Sequence, residues 1–137
     1  MMNTYIIVFL YLTTLSNALM EVPLDYRLGW DDVTKKHISE CICDIGVSPA
    51  KAVDFFLKGE YSTDRCIYCY IKCVAMKMNL LNPATGEPNV DEILRQLAGT
   101  NRDMLTQCKN GTHFLKDHCD IAYFMYSCIV THVIVPV

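Results

Sequence analysis

The sequence predicts an all-α domain of about six short helices, cross-linked by disulfides and preceded by a secretory leader. Three observations carry this reading: helix caps and stops recur at short intervals from Ser48 to Gly111, the cysteines number eight, and the chain opens on an uncharged apolar segment. No strand-like alternation competes with the helical spacing, and there is no internal repeat or low-complexity tract.

The leader comes first. Met1 to Ala18 carries no charged side chain, runs apolar from Tyr5 to Leu12, and ends in Ser16-Asn17-Ala18, the small residues a signal peptidase accepts. A membrane helix needs about 20 apolar residues, and Thr13, Thr14, Ser16 and Asn17 interrupt this run. Residues 1–18 therefore read as a signal peptide, and residues 19–137 as a single domain with one core, secreted to the extracellular space. No second apolar run suggests stable membrane insertion. The net charge of −3, with no basic stripe, argues against nucleic acid as a partner.

The helices follow in order from their punctuation. A first helix is expected from about Asp31 to about Cys43. Ser48 and Pro49 form a cap and a first-turn proline for a second, carrying Phe55, Phe56 and Leu57 and ended by Gly59. Ser62, Thr63 and Asp64 offer the cap of a third, which runs as good helix formers from Arg65 to Leu81 and stops at Asn82-Pro83. Asn82 to Pro88 is the clearest loop. Asn89 with Glu92 resembles a capping box for Val90 to Ala98, which Gly99 ends; Thr100 with Asp103 starts a fifth helix, closed by Asn110-Gly111. The sixth is expected from about Asp117 to about Val130.

An even cysteine count in a short secreted chain implies disulfides rather than free thiols, and eight cysteines allow 105 pairings. At about 100° per residue, Cys66, Cys69 and Cys73 share one stripe of the third helix, whereas Cys119 and Cys128 point to opposite sides of the sixth and need different partners. Cys69 and Cys73 are too far apart on a helix to bridge each other without strain. Other cysteine chemistry fits poorly. Cys66-Ile67-Tyr68-Cys69 is a lone Cys-x-x-Cys without the second pair a zinc site wants or the strand a redox motif wants. Secreted phospholipases and plant lipid-transfer proteins need adjacent cysteines, and saposin-like domains space theirs differently. The four histidines are scattered and no nucleophile motif occurs, so neither an enzyme, a metal site nor a cofactor is expected.

The segments Glu40 to Val47, Cys69-Tyr70-Ile71-Lys72-Cys73-Val74 and Cys119-Asp120-Ile121-Ala122-Tyr123 running to Cys128 carry a resemblance. With three residues between Cys69 and Cys73 and eight between Cys119 and Cys128, the mature chain is similar to the insect odorant-binding proteins of the pheromone-binding and general-odorant-binding family. The resemblance implies about six helices around an apolar cavity, with Cys41 bonded to Cys73, Cys69 to Cys119, and Cys108 to Cys128. Cys43 and Cys66 are additional to that pattern and form either a fourth bridge, free thiols or a dimer contact. The function implied is a secreted carrier of small hydrophobic ligands such as odorants, pheromones or lipid-like molecules, with a chemosensory receptor or a homodimer as further partners. The alternative is a non-chemosensory interaction protein of venom or reproductive fluid on the same scaffold.

Helical spacing nominates the ligand wall. Met76 and Leu80 share a face of the third helix, Leu94 and Leu97 of the fourth, and Ala122, Met125 and Ile129 of the sixth, with Met104 on the fifth. Leu80 and Ile129 are also family positions that tend to face ligand. Tyr126 belongs with Phe55, Phe56, Tyr123 and Phe124, aromatic residues that either pack a shell or line the pocket. The apolar tail Ile129 to Val137, with Ile134 in it, either extends the last helix or folds back as a lid. His132 in that tail is a candidate pH switch. Asn110-Gly111-Thr112 is a candidate N-glycosylation sequon.

Overall fold

The structure, a computed structural model, describes residues 19–136 apart from the side chain of Cys43. Six helices follow one another: α1 (Leu24–Ile45), α2 (Pro49–Lys58), α3 (Arg65–Lys77), α4 (Val90–Gln96), α5 (Arg102–Asn110) and α6 (His118–Val133). The class is all-α, as expected. The leader expected over Met1 to Ala18 lies outside the described residues. Among those described, no helix is long and apolar enough to cross a membrane.

The caps form largely where the sequence placed them. Asp64 accepts the Cys66 N–H at 2.9 Å, Asn89 the Glu92 N–H at 3.2 Å, and Asp117 the Cys119 and Asp120 N–H groups at 2.7 and 3.3 Å. The fifth helix starts one residue later than the Thr100 cap implied. Asn101 accepts the Met104 N–H at 2.9 Å, and the Thr100 hydroxyl instead donates to Leu97 O.

Two helices differ from expectation in extent by four residues or more, each for a physical reason. α1 begins at Leu24, not near Asp31, and runs through Gly29, which is a contact point. A Cβ there would stand 3.2 Å from the Ala98 Cβ, so the missing side chain lets α1 close on the residues after α4. α3 ends at Lys77, because Asn79 adopts φ 59° and closes a Schellman turn, with Asn79 N–H on Met76 O (3.1 Å) and Leu80 N–H on Ala75 O (2.8 Å).

α3 packs chiefly against α6 and α1, α1 also against α2, and α5 links α4 to α6. Three disulfides join the same layers: Cys41–Cys73 ties α1 to α3, Cys69–Cys119 ties α3 to α6, and Cys108–Cys128 ties α5 to α6. These are the pairs the resemblance implied. Exposed ion pairs run beside two of them, Glu40 with Lys77 and Arg65 with Asp120, and pairs in such positions add little to stability. Cys66 is exposed and, among the described residues, bonded to no other cysteine.

Helical periodicity gave no sign of one feature. β1 (Met20–Glu21) pairs antiparallel with β2 (Val135–Pro136), Met20 opposite Pro136 and Glu21 opposite Val135. This settles where the described tail goes. Through Val133 it is helix, with Ile129, Val130 and Val133 buried, and beyond that it leaves to form the two-residue ladder.

Candidate functional site

An apolar cavity lies between the helices, and each wall is a stripe of one element. α1 contributes Trp30 and Thr34, α2 Phe56, and α3 Ile71, Val74 and Ala75, a stripe that Met78 continues just past the helix end. The Asn79 turn then aims both Leu80 and Leu81 inward. Ile93 and Leu97 close the side of α4, and Ala122, Met125, Tyr126 and Ile129 the side of α6. These walls surround about 590 Å³ of space free of atoms, part of it shared with solvent at the mouth. The centre of a water molecule can move through only about 60 Å³ of it, so the open part is narrow.

The wall is nearly all carbon because its few polar atoms are already bonded. The Trp30 Nε1–H donates to Ala98 O at 2.9 Å, the Thr34 hydroxyl to Trp30 O at 2.8 Å, and the Tyr126 hydroxyl to Glu60 O at 2.8 Å. Burial pushes the Tyr126 hydroxyl pKa strongly upward, so it is a neutral donor at any physiological pH. One end is aromatic: the Tyr126 ring lies 6.5 Å from Trp30, edge on, and 5.8 Å from Phe56.

Of the residues nominated from spacing, Leu80, Leu97, Ala122, Met125, Tyr126 and Ile129 come together on this wall. Four do not. Met76 lies one residue, about 100°, round the helix from the wall position Ala75 and is half-buried elsewhere. Leu94 is likewise one step off the Ile93–Leu97 stripe. Met104 is buried with Leu105 and Cys108 on the inner face of α5, a helix that adds nothing to the wall. Ile134 sits beside Met20, Val22 and Gly59, where the β1–β2 ladder draws it away from the cavity.

Trp30 and Thr34 were not nominated, although a signal for them existed. With Ile38 and Cys41 they form a fully buried stripe at helical spacing. The stripe Ile71, Val74, Ala75 was equally readable, but Leu81 was not, since only the left-handed Asn79 brings it inward.

His132 is exposed on α6, above the Cys108–Cys128 disulfide, with Nδ1 2.8 Å from Cys128 O. The two sulfurs nearby, 4.0 and 3.8 Å from the ring, are bonded to each other and so are not thiolate ligands for a metal. Asn110 is exposed at the end of α5, and the Thr112 hydroxyl of its sequon is buried on Lys109 O at 2.7 Å.

Comparison with known proteins adds to this geometry. The model of the PBP/GOBP family matches residues 31–132. Odorant-binding protein 22 of Aedes aegypti is 34% identical over 74 residues, 54% of this chain and 52% of that protein. General odorant-binding protein 99a of Drosophila melanogaster is 32% identical over 98 residues, covering 66% of this chain and 68% of its own length. General odorant-binding protein 57c of the same fly is 29% identical over 101 residues, covering 68% and 67%. The chain thus spans about half the length of the mosquito relative and about two thirds of the fly relatives. A crystal structure of a pheromone binding protein from the cockroach Leucophaea maderae, in complex with the fluorescent reporter ANS, superposes with a TM-score of 0.63 at 17% identity, over 74% of this chain and 93% of that one. That likeness shows a shared fold. With the family model spanning α1 to α6 and the three bridges in place, the chain belongs to the PBP/GOBP family.

Proposed function

We propose that this protein is a secreted carrier which takes a small hydrophobic ligand into the cavity between α1, α3, α4 and α6 and moves it through aqueous extracellular fluid. The observation that supports this most is the wall itself, a surface of carbon whose polar atoms are all turned onto main-chain carbonyls. Such a surface gains from excluding water and offers no group for bond-making chemistry.

The energetics suit reversible carriage. A ten-carbon chain gains about 8 kcal/mol on burial at ~0.8 kcal/mol per methylene, and immobilisation then costs several. Affinity near ~1 μM follows, tight enough to hold the ligand in water and weak enough to release it. The relatives named as odorant-binding proteins, and the cockroach protein seen with ANS, support the same reading.

The test is displacement of ANS from the oxidised protein by a panel of long-chain alcohols, aldehydes, esters and fatty acids. Micromolar displacement is expected, together with its loss in Ala75→Phe, which fills the cavity from α3. A protein whose circular dichroism is fully helical but which takes up no probe would instead be an interaction protein on this scaffold.

A further inference from the structure

Ligand carriage makes no use of the sequon Asn110-Gly111-Thr112. The fold accounts for two of its three residues. Gly111 lies against Phe124, whose Cζ would stand 2.6 Å from a Cβ at that position, so glycine lets the end of α5 close on α6. Thr112 is 7% exposed, and its hydroxyl donates to Lys109 O at 2.7 Å, closing the turn after the helix. Asn110 has no such employment. It is exposed, and its side chain bonds no partner among the described residues. Asparagine suits helix ends chiefly where it takes the left-handed conformation. Here the capping Gly111 is right-handed at φ −68°, and among the described residues Asn79 alone, glycines apart, has a positive φ. As the last residue of α5, an asparagine is also a poorer helix former than lysine or alanine.

From this arrangement we infer that Asn110 carries an N-linked glycan, attached before the Cys108–Cys128 bridge closes. The inference rests on the secreted part of the carrier reading, since the transfer takes place in the secretory compartment. In that transfer Asn110 Nδ2 attacks the anomeric carbon of a lipid-linked oligosaccharide. The C–N bond forms as the C–O bond to pyrophosphate breaks, the lipid pyrophosphate departs, and one amide proton is lost. The transferase takes a sequon as extended chain with its Thr hydroxyl free, and the folded protein offers neither. Asn110 ends a helix, the Gly111 N–H donates to Gln107 O at 3.2 Å, and the Thr112 hydroxyl is committed to Lys109. Two residues back, Cys108 is 1% exposed and bonded to Cys128, which holds this end of α5 on α6. Synthesis leaves a window. Cys128 is made after Asn110, about 1–4 s later at ~5–20 residues per second, so the sequon is presented before the bridge that hides it can form. Once attached, the glycan stands clear of the cavity, because α5 adds nothing to the wall and Asn110 is exposed to solvent.

Two measurements test the site and the order of events. In the first, the full chain is expressed in an insect cell line, and protein from the medium is weighed by mass spectrometry before and after peptide N-glycosidase treatment. One glycan is expected, removed by the enzyme and missing from Asn110→Gln, a variant that breaks no bond of the fold. Native protein that leaves the cell without a glycan overturns the inference. In the second, unglycosylated protein made in bacteria is offered to purified oligosaccharyltransferase and its lipid-linked donor in two forms, oxidised and folded, or reduced with its thiols capped by iodoacetamide. Transfer is expected into the capped chain and not into the oxidised one, whose helical circular dichroism shows it to be folded. Equal rates into both forms overturn the order, and transfer into neither overturns the site. Protein that is secreted and binds ANS but has no glycan would leave the carrier reading standing, whereas protein kept inside the cell would remove both.

Discussion

The indole N–H of Trp30 donates to the main-chain carbonyl of Ala98, 2.9 Å away and 68 residues on in sequence. The bond holds the early turns of α1 against the residues that follow α4. Next to it, Gly99 at φ +83° leaves room for the Tyr26 ring, to which a Cβ would approach within 2.6 Å. Trp30 thereby does two jobs, fixing the α1–α4 corner and presenting its ring to the cavity.

Trp30 is the single tryptophan of the chain and is 3% exposed, so intrinsic fluorescence reports on the cavity wall alone. Emission at short wavelength, weakly quenched by iodide, is expected in the free protein. A ligand that enters the cavity should change its intensity in proportion to ANS displacement. Trp30→Phe should lose about 1 kcal/mol with the hydrogen bond, and more with the lost packing, seen as a lower urea midpoint. An emission that ignores ANS-displacing ligands would place their site elsewhere.

Asn79 holds a left-handed conformation at the end of α3 and so decides where Leu80 and Leu81 point. Asn79→Gly should leave stability equal or slightly raised, since glycine adopts this region freely. Asn79→Ala should cost about 1 kcal/mol and Asn79→Val more, because a side chain branched at Cβ resists a positive φ. Denaturant unfolding ranks the three variants, and the reverse order would show that the turn is not held by this residue.

The cysteines make a prediction that mass spectrometry reads directly. Maleimide applied to the native oxidised protein should label Cys66, which is exposed and has no disulfide partner among the described residues, and none of Cys41, Cys69, Cys73, Cys108, Cys119 or Cys128. No label at all would mean that Cys66 has joined Cys43 in a fourth bridge. Replacing Cys41 and Cys73 together by alanine should cost about 2–5 kcal/mol, since Cys41 is wholly buried where α1 meets α3.

Stability should fall on both sides of neutrality for opposite reasons. Tyr70, wholly buried with its hydroxyl donating to Ala52 O, has a pKa pushed up to about 12 by burial. Its raised value contributes stability that is intact below the ordinary tyrosine pKa near 10 and declines as pH rises from there toward 12. Asp117 is displaced the other way: the Asp120 and Cys119 N–H groups lower its pKa, so its contribution is present above the usual carboxylate range and lost as pH falls through the lowered value. Melting temperatures across pH should show both limbs, and Asp117→Asn should flatten the acid one. Ultraviolet titration should show Tyr70, Tyr126 and Tyr123 ionising late.

The helices were legible because their ends carry local chemistry. Asp64, Asn89 and Asp117 each bond an N–H two or three residues away, and a side chain that short can be read from sequence alone. The α3 and α6 walls were legible in part, since Ala122, Met125 and Ile129 follow helical spacing on a helix whose limits were nearly right. Trouble arose where a distant contact set the outcome. The first turns of α1, Trp30 among them, were missed, because nothing nearby in sequence shows that Ala98 will lie against Gly29 and Trp30. Met76 was misassigned by choosing the wrong stripe of a correct helix, and Ile134 by giving the apolar tail a lid's role when it had Met20 and Val22 to lie beside.

The β1–β2 ladder joins the two ends of the described chain and is made of two residues on each side. Closing a long interval costs little more than closing a short one, because the entropy grows only with the logarithm of length. Opening it, by contrast, requires giving up no disulfide and little buried surface, since all four of its residues are exposed. The molecule therefore behaves as a hoop with a snap fastener: it can unclasp at this seam and swing Ile134 free while the three cross-linked layers stay shut. Amide hydrogens at the seam should exchange long before those of α3.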